Sequence, residues 1–250
     1  MDFEWLHRLM DGSSLVLIGA SIGLAFTGIY LSYAGLSLLM TRRVLPHFGI
    51  GALIESRPLA PHQIRHEIAR SLVSIGVFAI YGVVTVWAER WGGVTIDWSP
   101  SWTTIVVNLA LLTLWNEVHF YICHRLLHTR WLYHRVHYVH HRSIVPTPFS
   151  TFSFHWFEAT MLSSVMILLL LVWPLDIVTV AVFPMVSLVA NSIGHMNYAV
   201  FPDKSLEDFF AACQRHTAHH TRWVGNYGFY FPWIDRLLGT RVAAKESSRR

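Results

Sequence analysis

The chain has 250 residues, of which 53% are hydrophobic and only 14% charged, against about 25% charged in a soluble domain. With a mean hydropathy of +0.41, that composition excludes an ordinary water-soluble enzyme and predicts an integral membrane protein. A formal charge of +4 carried almost wholly by arginine, with two lysines, follows from positive-inside topology rather than from nucleic-acid binding.

The N-terminal stretch MDFEWLHRLMDG is acidic and aromatic, unlike a cleavable signal peptide. The first apolar span runs from Leu15 to Met40, and its scattered glycines suit close helix packing in lipid. Next comes PHQIRHEIARS, with Ile64 and Ile68 one turn apart, which predicts an amphipathic helix lying on the membrane surface. The second span is Ser71 to Ala88, and ERWGGVTIDWSP is a short loop on the opposite side. The third span starts at Trp102 and reaches about Cys123, gathering Asn108, Asn116, Glu117 and His119 on the way.

Phe157 to Ile193 is too long for one crossing of about 20 residues but long enough for two short ones. Pro174 in WPLD supplies the break. The expected fold is therefore an all-α integral membrane bundle of about four to five transmembrane helices with a cytoplasmic histidine-rich helical cap. Arginine placement sets that orientation. Residues 41–70 carry Arg42, Arg43, Arg57, Arg65 and Arg70, whereas loop 89–101 carries only Arg90 beside Glu89 and Asp97. The histidine clusters and the C-terminus are thus expected to face the cytoplasm. The whole chain, 1–250, reads as one domain, with a motif-bearing core at about 60–240 and a frayed tail at about 243–250. Cys123 and Cys213 make no disulfide framework and no Cys-x-x-Cys pair.

Three histidine clusters carry the chemistry. HRLLH places His124 and His128 one helical turn apart; HYVHH does the same for His137, His140 and His141, and HTAHH for His216, His219 and His220. The spacing predicts that each cluster converges on a point from one helix face. His195, in NSIGHMNY at the end of the last span, is a ninth candidate. Nine imidazoles suffice for two metal ions with open positions, and imidazole suits iron, zinc, copper and nickel. Repetition of the spacing argues against a pH-sensing or proton-conducting array. The isolated histidines His7, His47, His119 and His134 are expected to be structural. His62 and His66 show i, i+4 spacing without a further cluster, too weak a pattern for a metal site. His155 in FHWFE is open between ligand, supporting group and pocket residue. A histidine-rich membrane metal-binding or transport protein is the alternative from another class, but the spans hold few metal-handling residues. A zinc protease fails because HRLLH lacks the glutamate of H-E-x-x-H.

HRLLH with LYHRVHYVHH, and QRHTAHHTRWVGNYG with WIDRLLGT, resemble the boxes of the fatty acid hydroxylase and sterol desaturase superfamily of membrane di-iron oxygenases. PHQIRHEIARS is similar to a loop helix of sterol C-5 desaturase-like members. The resemblance spans roughly residues 60 to 240. It implies that His124, His128, His137, His140, His141, His195, His216, His219 and His220 ligate two iron ions. It also implies O2 as co-substrate, and hydroxylation or desaturation of a lipid C–H bond. The lipid would be sterol-like, terpenoid, sphingoid or fatty acyl. Electrons would come from an external ferredoxin or cytochrome-b5-type donor with its reductase, since the chain shows no haem, flavin or ferredoxin motif. Arg130, Arg142 and Arg222 are candidates for docking such a donor, although topology charge explains each one alone. Asn191 stands where some members carry a further histidine, so it is expected to support the site or line the pocket. Glu117 stands where relatives tend to carry aspartate, and a carboxylate there is expected to accept the spare ring N–H of a ligand histidine.

Overall fold

The computed structural model describes residues 1–242, and the frayed tail expected at 243–250 lies outside them. Eleven helical segments follow in chain order: α1 (Glu4–Gly12), α2 (Leu15–Leu39), α3 (Leu45–His47), α4 (Gln63–Arg90), α5 (Trp102–Leu127), α6 (Arg130–Leu132), α7 (Tyr138–His141), α8 (Trp156–Leu170), α9 (Ile177–His195), α10 (Ala212–Arg222) and α11 (Trp233–Leu237). Four of these are long and apolar enough to cross a bilayer: Leu15–His47, which includes α2 and α3, and α4, α5 and α9. The protein is an all-α, multi-pass membrane bundle. Large apolar side chains such as Val16, Leu24, Ile80 and Val106 are exposed on its flanks, as a lipid-facing surface requires.

Polar caps start the spans. The Ser14 hydroxyl accepts the Leu17 N–H, and Ser101 does the same for Thr104. Asp176 caps α9 through the Thr179 N–H at 2.8 Å and is itself fully buried. Its other oxygen accepts from Asn108 of α5 at 3.0 Å, so the capping carboxylate also ties two spans together. Two-residue strands close the ends of the bundle. Ile96–Asp97 pairs in parallel with Leu175–Asp176, and Ala52–Leu53 pairs antiparallel with Tyr198–Ala199. The first pair joins the loops after α4 and α8 at one end. The second lies at the other end, beside the C-terminus of α9.

The last apolar stretch breaks where Pro174 predicts, with α8 ending at Leu170 and α9 starting at Ile177. At 15 residues, α8 spans only about 22 Å, short of the roughly 30 Å core. The preceding segment makes up the difference. Pro148–Phe152 forms a 3-10 turn buried among the helices. Such non-helical backbone is tolerated at depth only when its polar groups are satisfied. Tyr30 and Ser71 both donate to the Phe149 carbonyl, and Asn191 donates to that of Thr151.

One expectation is corrected. Residues 63–70 are not a separate surface helix but the first turns of α4, which runs unbroken to Arg90. No proline interrupts it, and its one early acid, Glu67, is buried as an acceptor for Gln63, Ser143 and Thr147. The N-terminal stretch forms α1, held to the loop after α4 by Phe3 N–H to the Trp98 carbonyl at 2.9 Å and by His7 stacked on Trp98. Cys123 and Cys213 are both buried free thiols.

Because strand pairing fixes the loops after α4 and α8 together, single cysteines introduced at residues 95 and 173 are expected to react with an impermeant maleimide from the same side of a sealed vesicle. A cysteine at residue 203 is expected to react only from the other side. Labelling of 95 and 173 from opposite sides would contradict this packing.

Candidate metal centre

The nine histidines come from five places in the chain and meet at one end of the bundle. The C-terminus of α5 brings His124 and His128. A π-helical turn, Tyr133–His137, and α7 bring His137, His140 and His141, while α9 ends on His195. Helix α10 supplies His216, His219 and His220. They form two groups, His124, His128, His137, His141 and His219 in one and His140, His195, His216 and His220 in the other, with the ligand nitrogens of each group within 4.8 Å of one another.

The sorting corrects the expectation that each box points at one place. His137 and His141 approach at 3.1 Å through their Nε2 atoms, whereas His140 between them faces His195 at 3.3 Å. In α10, His216 and His220 approach at 3.1 Å, and His219 crosses to His141 at 3.1 Å. The i, i+4 pair of each H-x-x-H-H box stays together, and the middle histidine, rotated by 60° to 100° around the axis, serves the other group. The two boxes thus interlock the two groups.

Proton bookkeeping shows what the groups can hold. The Nδ1 of His124 donates to the Tyr227 carbonyl at 2.9 Å, that of His195 to Asn191 at 2.7 Å, that of His219 to Gly225 at 2.6 Å and that of His220 to Ser143 at 3.0 Å. His137 Nδ1 donates to Glu158 Oε1 at 2.8 Å. Carbonyls and carboxylates only accept, so these Nδ1 atoms carry the proton and the neutral rings present Nε2 lone pairs inward. Converging lone pairs repel unless a cation lies between them. Protons serve poorly: burial, reinforced by neighbouring imidazoles, holds His137, His140, His141 and His220 well below the usual imidazole range, and burial lowers His219 to about 4. The donor set fits first-row transition metals, which take neutral imidazole.

Local structure aims the carbonyls. Trp223 ends α10 in the left-handed region at φ 63, and Gly225 follows at φ 73. A side chain at Gly225 would press on the Thr240 carbonyl, 2.8 Å from the added Cβ, so only glycine fits there. Asp235 then accepts the backbone N–H groups of Tyr227 and Gly228, holding the Tyr227 carbonyl toward His124.

Between the histidines and the bundle lies a small cavity lined by Phe120, Leu127, Phe154, Leu162, Glu158 and Asn191 together with ligand-group histidines. It leaves about 10 Å³ free to a water-sized molecule, about the room one water needs. Anything larger than a water enters only as these side chains move.

Contacts place three further residues. Asn191 lines this cavity, and its carbonyl orients His195. Glu117 does not reach a histidine; it accepts the backbone N–H groups of Phe229, Tyr230 and Phe231, satisfying a loop rather than a ring. His155 is outside both groups and caps α8 through the Phe157 N–H. The carboxylate that meets a histidine is Glu158, which the sequence reading missed although it stands in the same FHWFE stretch. Its signal was an acid inside an otherwise apolar segment. His119 bonds to Ser164, in keeping with a structural role.

The comparisons agree with this architecture. The fatty acid hydroxylase family matches residues 109–240. The chain is 30% identical over 249 residues to the Delta(7)-sterol 5(6)-desaturase erg3C of Aspergillus fumigatus, covering 88% of this chain and 73% of the relative. It is 26% identical to the lathosterol oxidase of Mus musculus over 85% of this chain and 71% of that one. Similarity to methylsterol monooxygenase 1 of Gallus gallus is 24% over 66% and 58% of the two chains. No solved structure matches. A multi-pass membrane bundle with two interlocked histidine groups is the class defined by fold and site. The chain belongs to the fatty acid hydroxylase family.

The neutral, buried histidines give the metal-free fold a pH dependence of definite sign. In the folded chain His219 takes up a proton only near pH 4, whereas an unfolded histidine does so near 6.5. The unfolded state therefore binds more protons as pH falls from about 6.5 to 4, and stability falls with it. Thermal unfolding of chelator-treated protein in detergent is expected at a lower temperature at pH 5 than at pH 7. A midpoint independent of pH across that range would contradict the neutral cluster.

Proposed function

We propose that the chain is an O2-dependent lipid oxidoreductase whose two histidine groups hold two iron ions. The observation that carries this reading is the pair of inward-facing imidazole groups at the end of an apolar bundle. Family membership and relatives named as sterol desaturases and a methylsterol monooxygenase support a lipid oxygenase or desaturase. In this reading His124, His128, His137, His141 and His219 hold one ion, and His140, His195, His216 and His220 hold the other. Bound iron supplies the oxidising power toward a C–H bond that no side chain has.

The chain's own residues do the rest. The carbonyls of Tyr227, Gly225, Asn191 and Ser143 and the Glu158 carboxylate fix ring tautomer and direction, which raises ligand basicity. Phe120, Leu127, Phe154 and Leu162 wall the site with apolar surface, excluding water and favouring a hydrocarbon. The exposed apolar flanks let such a substrate arrive from the bilayer. The substrate proposed is a lipid that is hydroxylated or desaturated, sterol-like first, with terpenoid, sphingoid or fatty acyl lipids as the alternatives. The whole chain acts as one domain, with the histidine end in the cytoplasm, where arginines 42, 43, 57, 65 and 70 also lie. Reducing equivalents come from a ferredoxin or a cytochrome-b5-type donor with its reductase.

The sorting of the histidines makes the metal test specific. Iron analysis with Mössbauer spectroscopy on anaerobically purified protein is expected to show that His219→Ala depletes one site and His140→Ala the other, with lipid oxidation abolished in both. Full activity and full iron in the His140→Ala protein would end the di-iron reading. Glu158→Ala is expected to weaken metal retention or turnover on the order of 10- to 100-fold, the usual effect of losing a group that orients a ligand histidine.

Purified protein given O2 and lipid is expected to manage at most a single turnover, and an added donor with its reductase to restore many. Sustained turnover on NADPH without a second protein would show that the chain carries its own redox site.

A further inference from the structure

His62 and His66, set aside as metal ligands by their isolation, line a groove of about 570 Å³ on the outer face of α4 with Arg65, Ala69, Arg70 and Val73. These positions recur every three or four residues and so share one helix face. Arg142, from the turn that follows α7, meets this lining by donating from Nη1 to His66 Nε2 at 2.7 Å. The lining holds no carboxylate. Glu67, the acid nearest in sequence, points away into the protein, where Gln63, Ser143 and Thr147 hold it. Among the described residues the arginine–carboxylate pairs involve Arg57, Arg90, Arg236 and Arg241, not Arg65, Arg70 or Arg142.

Three guanidinium groups without an opposing charge, around one groove with two imidazoles, repel one another and favour an anion with several acceptor oxygens. The same face continues along the transmembrane helix as Val73, Gly76, Ile80 and Val84. The three valine and isoleucine side chains are exposed, and nothing lies within 4 Å of the place a Gly76 side chain would occupy. A cationic head running into an apolar strip matches a molecule with an anionic phosphate at one end and a hydrocarbon chain at the other. Free phosphate would use only the upper half, and an acidic protein segment would leave the strip uncovered.

We infer that this groove binds an anionic membrane phospholipid, its phosphate between Arg65, Arg70, Arg142 and the two histidines and one acyl chain along Val73, Gly76, Ile80 and Val84. The site is separate from the metal centre and independent of the proposed reaction. It reaches the centre's frame through one short path: Arg142 precedes Ser143, whose carbonyl accepts the His220 ring N–H and whose hydroxyl bonds to Glu67. A lipid bridging α4 and Arg142 would hold that path in place.

The test is native mass spectrometry of the full chain in detergent, titrated with phosphatidylglycerol, phosphatidylcholine or inorganic phosphate. Wild-type protein is expected to bind phosphatidylglycerol about tenfold or more tightly than phosphatidylcholine, since each basic side chain near an anionic headgroup contributes roughly fivefold. Arg65→Gln/Arg70→Gln/Arg142→Gln is expected to lose that preference, and Arg236→Gln, a charge change elsewhere, to keep it. Should the triple variant fail to fold, Arg70→Gln alone is expected to reduce the preference severalfold. No preference in the wild type, or an unchanged preference in the arginine variants, would overturn the proposal. So would inorganic phosphate binding as tightly as the lipid.

Discussion

The constraint on which the structure depends is the burial of imidazoles with their lone pairs turned toward one another. A ring buried in this way gains by placing its remaining N–H on an acceptor, because an unsatisfied buried donor costs about 1–3 kcal/mol. Five rings do so, while among the described residues the Nδ1 atoms of His140 and His141 have no partner. His124 is satisfied by Tyr227, His137 by Glu158, His195 by Asn191, His219 by Gly225 and His220 by Ser143. The arrangement therefore depends on helices α8 and α9 and on the turns after α7 and α10 being in place.

Buried carboxylates organise the surrounding backbone. Glu117 gathers three consecutive N–H groups at 229–231, and Asp235 gathers two at 227–228. Glu67 joins the start of α4 to Ser143 and Thr147, on either side of the descent into the 3-10 turn. Asp176 does comparable work at the opposite end, capping α9 and bonding Asn108. These acids are buried, and a buried polar group must be fully partnered. In this chain each is partnered by peptide N–H, hydroxyl or amide groups, so the acids serve architecture. Glu158 is the exception, with a histidine as its partner and its second oxygen, Oε2, unpartnered beside the cavity.

The short helix α8 shows how function shapes the bundle. A full-length crossing there would carry regular helix up to the histidines. The chain instead enters as a buried turn stabilised by Tyr30, Ser71, Asn191 and Ser192. That turn leads to Phe154 and Glu158 at the inner side of the histidine cluster, one as apolar wall and the other as acceptor for His137.

The sequence by itself determined the class of the fold, because spans of apolar residues and a break at Pro174 follow from bilayer thickness and backbone chemistry, both local properties. It also named the nine histidines that meet, eight because matched i, i+3 and i, i+4 spacing is visible in one dimension and His195 from its place at the end of the last span. It did not determine which histidine joins which group. That choice depends on the rotation of α7 and α10 about their axes, and packing against α5 and α9 sets it. Nor could spacing reveal that Glu158 rather than Glu117 meets a ring. Both are single acids in apolar segments, and only the direction each helix faces separates them. The unbroken α4 was hidden for a related reason. Its polar first turns read as a surface helix until Ser143 and Thr147, some 80 residues away, bury Glu67. Tertiary structure decided these points because each rests on a partner far along the chain.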